Sequence, residues 1–121
     1  MRYMLLIYDD EKTWAKMSEP ERGAIFKQYR AFTESIQGSG AFLAGAPLQP
    51  TSTATTVRMK NGKTISTDGP FAETKEQLGG YYLVEAKNLN EAIAIAARIP
   101  SVQVGGSIEV RPVMEVGPPP R

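Results

Sequence analysis

The chain contains neither cysteine nor histidine. Disulfides and thiolate chemistry are excluded, and the commonest general base near neutral pH is missing. Acid–base work must therefore fall to carboxylates, lysine, arginine and tyrosine. One stretch concentrates such groups around a rigid turn: TDGPFAETKEQLGGYYL, from Thr67 to Leu83. Asp68 opens the turn Gly69-Pro70-Phe71, and Glu73, Lys75 and Glu76 follow. A carboxylate held in an apolar pocket has a raised pKa and can abstract a proton. Asp68 and Glu73 are the candidate catalytic groups in that scheme, with Lys75 or Arg58 stabilising the resulting anion. This would suit isomerisation or elimination on a small oxygenated ring, with no cofactor needed. Tyr8 and Tyr82 could add hydroxyls to the substrate-binding set of Arg58 and Lys75, although strand tyrosines more often simply pack.

The same stretch also reads as turn chemistry alone. Asp68 would cap backbone N–H groups, Gly69 would supply a special conformation, Pro70 would fix φ, and Phe71 would anchor the turn in the core. Ala72 to Leu78 would add a short helical turn closed by Gly79-Gly80. A third reading is ligand binding without turnover, with N–H groups after the Gly-Pro turn receiving an anion. Arg58, Arg111 and Glu109 fit a buried ion pair more readily than a substrate clamp. Asp9, Asp10 and Glu11 look like a metal cluster, but consecutive acids cannot all face one ion. A solvated loop is expected there and no metal, since zinc would have to be held by carboxylates alone. Trp14 is either a lid or plain packing.

These groups must be positioned by one domain, because 121 residues bury a single core. We place that domain at residues 1–116 and a flexible Pro-rich tail at 117–121. A net charge of +1 without like-charge blocks argues against a nucleic-acid partner. The opening MRYMLLIYDDE is charged too soon for a signal peptide, and its apolar run is far below membrane-spanning length. The expectation is a cytoplasmic protein.

Arg2 to Tyr8 alternates Tyr3, Leu5 and Ile7 with Met4, Leu6 and Tyr8, a strand apolar on both faces. DDEKTWAKM reads as a polar loop. Ser18 and Glu21 form a capping box with Pro20 in the first turn, and Ile25, Tyr29, Phe32 and Ile36 recur at helical spacing. Gly38 or Gly40 stops that helix. AFLAGAPLQP suggests a bent strand, and Asn61-Gly62 a tight hairpin between β-branched runs. GYYLVEA is another strand apolar on both faces. Asn88 and Glu91 cap a second helix reaching Ile99, with Leu89, Ala92, Ile93, Ala96 and Ile99 as its buried face, ended by Pro100. SIEVRPVMEV is the last strand, and Pro112 inside it demands an edge or a bulge.

The order of strand, helix, strands, helix, strand predicts an α+β fold. It is a ferredoxin-like split βαβ arrangement with an antiparallel sheet and two helices on one face. Two helices cover only one face of strands that are apolar on both, so the other face calls for a second copy of the chain, a homodimer.

RYMLLIYDDE, ATTVR, TDGPFAETKEQLGGYYLVE, EAIAIAARIP and IEVRPVME occur in that order, and together they resemble the DGPF group of YCII-related proteins over almost the whole chain. The resemblance implies a dimeric α+β barrel. Its wider superfamily includes muconolactone isomerase-like and cofactor-independent monooxygenase-like enzymes. Some DGPF proteins are encoded beside extracytoplasmic-function sigma factors, which implies a regulatory alternative. YCII proteins are often proposed to use a His–Asp pair. This chain has no histidine, and Asp68 is the nearest acidic counterpart in the motif.

Overall fold

The alternation of Tyr3, Leu5 and Ile7 with less buried neighbours makes Arg2–Asp9 the first strand, β1. A computed structural model describes residues 1–117; the tail assigned to 117–121 lies outside it beyond Gly117. β1 is followed by α1 (Glu11–Lys16), α2 (Glu19–Gly38), β2 (Phe42–Pro47), β3 (Thr55–Lys60), β4 (Lys63–Asp68), β5 (Gln77–Glu85), α3 (Leu89–Ala96) and β6 (Ser107–Pro112). Short 3-10 turns occupy Thr51–Thr53 and Pro100–Val104.

Four strands form one sheet in the order β2-β5-β1-β6, with every pairing antiparallel. That order, with α2 and α3 packed on one face, is the ferredoxin-like arrangement. β3 and β4 form a separate hairpin. Asn61 (φ 52°) and Gly62 (φ 77°) make its two-residue turn, the left-handed conformations a tight hairpin needs. Pro112 ends β6, which is an edge strand, so its missing N–H breaks no ladder.

Ser18 caps α2 as the capping box requires: Ser18 Oγ accepts from Glu21 N at 3.2 Å, and Ser18 N donates to Glu21 Oε1 at 3.1 Å. Ile25, Phe32 and Ile36 carry the buried stripe of this helix. Asn88 Oδ1 accepts from Glu91 N at 2.9 Å and starts α3. The core joins Tyr3, Leu5, Ile7, Tyr82 and Val84 of the sheet to Phe32 and Ile36 of α2 and Ala92, Ile95 and Ala96 of α3.

Three local expectations are corrected. Residues 11–16 are helical rather than loop, because Asp10 accepts from Lys12 N at 2.9 Å and caps them. Trp14 packs edge-on against Phe26, with ring centres 5.4 Å apart. α3 ends at Ala96 rather than Ile99, since the residue preceding a proline is pushed out of helical conformation and Ile99 is extended at ψ 127°. Its buried face is turned accordingly. Ile95 joins Ala92 and Ala96 inside, while Leu89 and Ile93 are about half exposed.

Leu5 lies at the centre of this core with no exposed surface. Leu5→Ala is expected to lower unfolding free energy by about 2–5 kcal/mol, seen as a lower urea midpoint at unchanged slope. An unchanged midpoint would place Leu5 outside the core.

Candidate functional site

The stripe Tyr3, Leu5, Ile7 does not stop at an apolar residue. Its next member is Asp9, which carries a carboxyl to the end of the buried face of β1. A bulge in the β1–β5 ladder, between Ile7 and Tyr8, leaves Gly79 without a partner at this point. A carboxyl there must be paired, neutralised or opened to solvent.

All three occur. Ser101, 4% exposed, donates from Oγ to Asp9 Oδ2 at 3.1 Å. The Tyr29 hydroxyl, from α2, is hydrogen-bonded to the same Ser101 Oγ. With Ser101 donating to Asp9, Tyr29 is the donor to Ser101. The chain thus runs from Tyr29 through Ser101 to the carboxyl. Gly105 (φ 91°) turns the backbone after the 3-10 turn, and Gly106 N donates to Ser101 O at 2.8 Å. A Cβ on Gly106 would overlap Asp9 Oδ1 and come within 2.9 Å of the Ser101 Cβ and carbonyl oxygen. The carboxyl fills the space a side chain would take, so only glycine fits.

On its open side Asp9 borders a cavity of about 340 Å³, walled also by Asp10, Thr13, Lys75, Glu76, Val104, Gly105 and Gly106. Glu76 Oε1 accepts from Ser107 Oγ at 3.3 Å. Burial pushes the Asp9 pKa up, against the Ser101 hydrogen bond, and the nearby Glu76 charge raises it further. Burial is also the main reason the Tyr29 hydroxyl is pushed up to about 12; the Ser101 hydrogen bond opposes it, while Asp9 and Tyr82 add to it. Tyr29 therefore remains a donor at neutral pH. A carboxyl with a raised pKa at a cavity wall can both give and take a proton, and Lys75 lines the same cavity.

Of the neighbouring acids, Asp10 also lines the cavity and Glu11 does not. Asp10 caps α1, and Glu11 accepts from Thr51 N at 3.1 Å and Thr51 Oγ1 at 2.5 Å. They are three separately engaged groups rather than a solvated loop, and no cluster of three potential ligands able to hold a metal occurs among the described residues.

The sequence candidates are dispersed. Lys75 lines the Asp9 cavity, and Asp68, Glu73, Arg58, Tyr8 and Tyr82 do not. Asp68 ends β4 opposite Thr55 and is exposed, as are Glu73 and Arg58. Tyr8 is half-buried on the sheet face away from the helices. Tyr82 points the other way, into the core: its hydroxyl pairs with Thr33 Oγ1 at 2.7 Å and its ring meets Phe32 edge-on at 5.2 Å. The turn after Asp68 is tied down by its backbone. Gly69 N donates to Ala54 O at 2.7 Å, and Thr56 Oγ1 donates to Gly69 O at 2.8 Å. Phe71 is 78% exposed rather than anchored in the core, because the turn belongs to the separate hairpin. No helical turn follows it. Residues 72–76 are irregular, and Gly79 and Gly80 lie inside β5. Arg111 and Glu109 lie 4.0 Å apart with both side chains largely exposed, so the expected buried pair is a surface one without Arg58.

Sequence reasoning missed Asp9, Ser101 and Tyr29. The available signal was positional: extending the buried alternation of β1 by two residues reaches Asp9.

A family model for the YCII-related domain matches residues 1–117. An uncharacterized protein of Rhizobium meliloti (strain 1021) is 39% identical over 114 residues, covering 93% of this chain and 92% of that protein. The chain belongs to the YCII-related family.

The raised Asp9 pKa makes a signed prediction. The folded chain holds the Asp9 proton more tightly than the unfolded chain, whose ordinary value is 3.8. This contribution to stability is full below 3.8 and is lost as pH rises through the raised value. Asp9→Asn, which keeps an acceptor for Ser101 without a charge, is expected to unfold at an equal or higher urea concentration than wild type at pH 7. The difference should shrink on acidification to pH 3. A variant that is less stable at pH 7 and recovers in acid would show that the ionised carboxylate is the stabilising form.

Proposed function

We propose that this YCII-related protein binds a small polar molecule in the cavity beside Asp9 and moves a proton on it, as a cofactor-independent isomerase or lyase. The observation that carries this reading is a carboxyl of raised pKa that is fixed on one oxygen by the buried Ser101 hydroxyl, itself bonded to Tyr29, and that opens on its other side to a cavity. Fixing the base is what makes proton abstraction efficient. In the ionised form Asp9 takes a proton from the ligand and in the neutral form returns it. Lys75 offsets negative charge that develops on the ligand. Asp68 and Glu73 have less support as the catalytic pair, since both are exposed on the hairpin side of the loop. The Asp68–Phe71 run, which fits the DGPF group, instead helps to set the loop that delivers Lys75 and Glu76.

A second reading is a ligand-binding or regulatory module without turnover. It is favoured by one observation: no buried side-chain nitrogen or oxygen among the described residues lacks a hydrogen-bond partner. The Asp9–Ser101–Tyr29 chain is complete without a ligand.

Either role is proposed for a cytoplasmic homodimer. Ladder partners place Met4, Leu6, Tyr81 and Leu83, all half-buried, together with Ala44 and Ala46 on the face opposite the helices. Glu109 and Arg111 border them on β6. A second copy covering this face would remove the apolar centre from water and leave the charged edge at a rim.

Two measurements test these readings. An NMR screen of small oxygenated acids and lactones should give hits that shift signals of Lys75, Gly105 and Gly106. Any turnover of a hit should fall about 100-fold or more in Asp9→Asn. Hits that bind with no turnover would favour the second reading, and turnover indifferent to Asp9→Asn would remove the mechanism. Sedimentation at micromolar concentration should give twice the 13.2 kDa chain mass; a single-chain mass would rule out the dimer.

A further inference from the structure

A second concavity, of about 350 Å³, lies between α2 and the Pro100–Val104 turn. Arg98 stands in its wall. The guanidinium carbon is 5.5 Å from the centre of the Phe32 ring, and Nη2 donates to Ser35 Oγ. An aromatic face and one hydroxyl thus hold a long side chain in place while engaging one nitrogen of its five-donor fork. The ion pairs among the described residues are Met1–Glu85, Arg2–Glu115 and Arg111–Glu109, so Arg98 has no carboxylate partner there. The groove has no acidic lining residue. Besides Arg98 and Phe32 it is walled by Gln28, Ala31, Pro100 and Gln103.

Two ordinary roles fit a cation here. Arg98 follows Ala97, the C-cap of α3, where positive charge is favoured by the helix dipole. Its stem also covers apolar surface. Lysine would serve both. Neither role calls for a planar fork anchored at a concave site with two carboxamides in the same walls.

We propose that this groove is an anion site for a small molecule bearing a carboxylate or phosphate group. The Arg98 fork receives two of the ligand's oxygens, and the side-chain amides of Gln28 and Gln103 donate to the remainder. Because Phe32 and Ser35 already restrain the guanidinium, less side-chain freedom is lost on binding. The proposal does not rest on the Asp9 reading. The two sites meet through the Pro100–Val104 turn, where Pro100 and Gln103 line the groove, Ser101 holds Asp9, and Val104 lines the Asp9 cavity, and through α2, which carries Gln28 and Phe32 to the groove and Tyr29 to Ser101.

The test is a titration of the full chain with inorganic phosphate and, separately, with citrate. Sodium chloride holds ionic strength constant, and ¹⁵N NMR follows the Arg98 Nε–H and the Gln28 and Gln103 side-chain amides. Saturable shifts at these groups are expected, and the tighter anion indicates the ligand's group. Arg98→Lys keeps the charge and loses the fork, and should weaken binding about tenfold. Gln103→Leu should weaken it severalfold while leaving Arg98 in place. Shifts that grow without saturation in the wild-type chain would overturn the site, as would shifts reproduced by chloride alone. Equal affinity in Arg98→Lys would also overturn it, because charge at a helix end would then suffice.

Discussion

A carboxyl group at the end of a buried apolar stripe is the constraint around which one end of this molecule is built. β1 delivers Asp9 to the helix side of the sheet, where an unpaired carboxylate would be costly. Ser101 must sit in the 3-10 turn to reach it, and Tyr29 must sit on α2 to reach Ser101. Gly106 must lack a side chain, because the carboxyl fills that space. Pro100 stops the preceding helical run and starts the turn that presents Ser101. Elements far apart in sequence are thereby fixed to one another by a single acidic side chain.

The rest of the architecture follows from the two-sided character of the central strands. Tyr3, Leu5 and Ile7 are covered by α2 and α3, and Met4 and Leu6 are not. The β3–β4 hairpin does not cover them by joining the four-stranded sheet, since it forms a sheet of its own. It leaves Val57 and Met59 more than 60% exposed. The helical face is a finished core, whereas the opposite face and the hairpin carry apolar surface that the single chain leaves partly in water.

Much of this was legible from residue order. The capping box at Ser18, the hairpin turn at Asn61-Gly62, the edge position of Pro112 and the split βαβ order each follow from local chemistry that tertiary packing did not override. The site was less legible. The stretch from Asp68 to Glu76 draws attention by composition, but composition does not say which way a loop faces. Lys75 and Glu76 reach the cavity, while Asp68 and Phe71 face water. Asp9 looked like one of three solvated acids because a run of acids suggests a surface. Its true neighbours, Tyr29 and Ser101, are 20 and 92 residues away along the chain, and single-sequence periodicity carries no information about such meetings. The α3 face was misjudged for a smaller reason. Leu89, Ile93 and Ile95 are all apolar, so the pattern alone does not say which of them turns inward.

The Tyr29 hydroxyl, pushed up to about 12, gives the hydrogen-bonded chain a direction. Tyr29 keeps its proton at physiological pH and stays the donor to Ser101, whose own hydrogen then points at Asp9. The two hydroxyls act as a mount for the carboxyl. Its open side is the cavity. Burial is the main cause of the raised Asp9 pKa, so a neutral occupant that buries the carboxyl further raises it again. In that sense the carboxyl reports the occupancy of its own site.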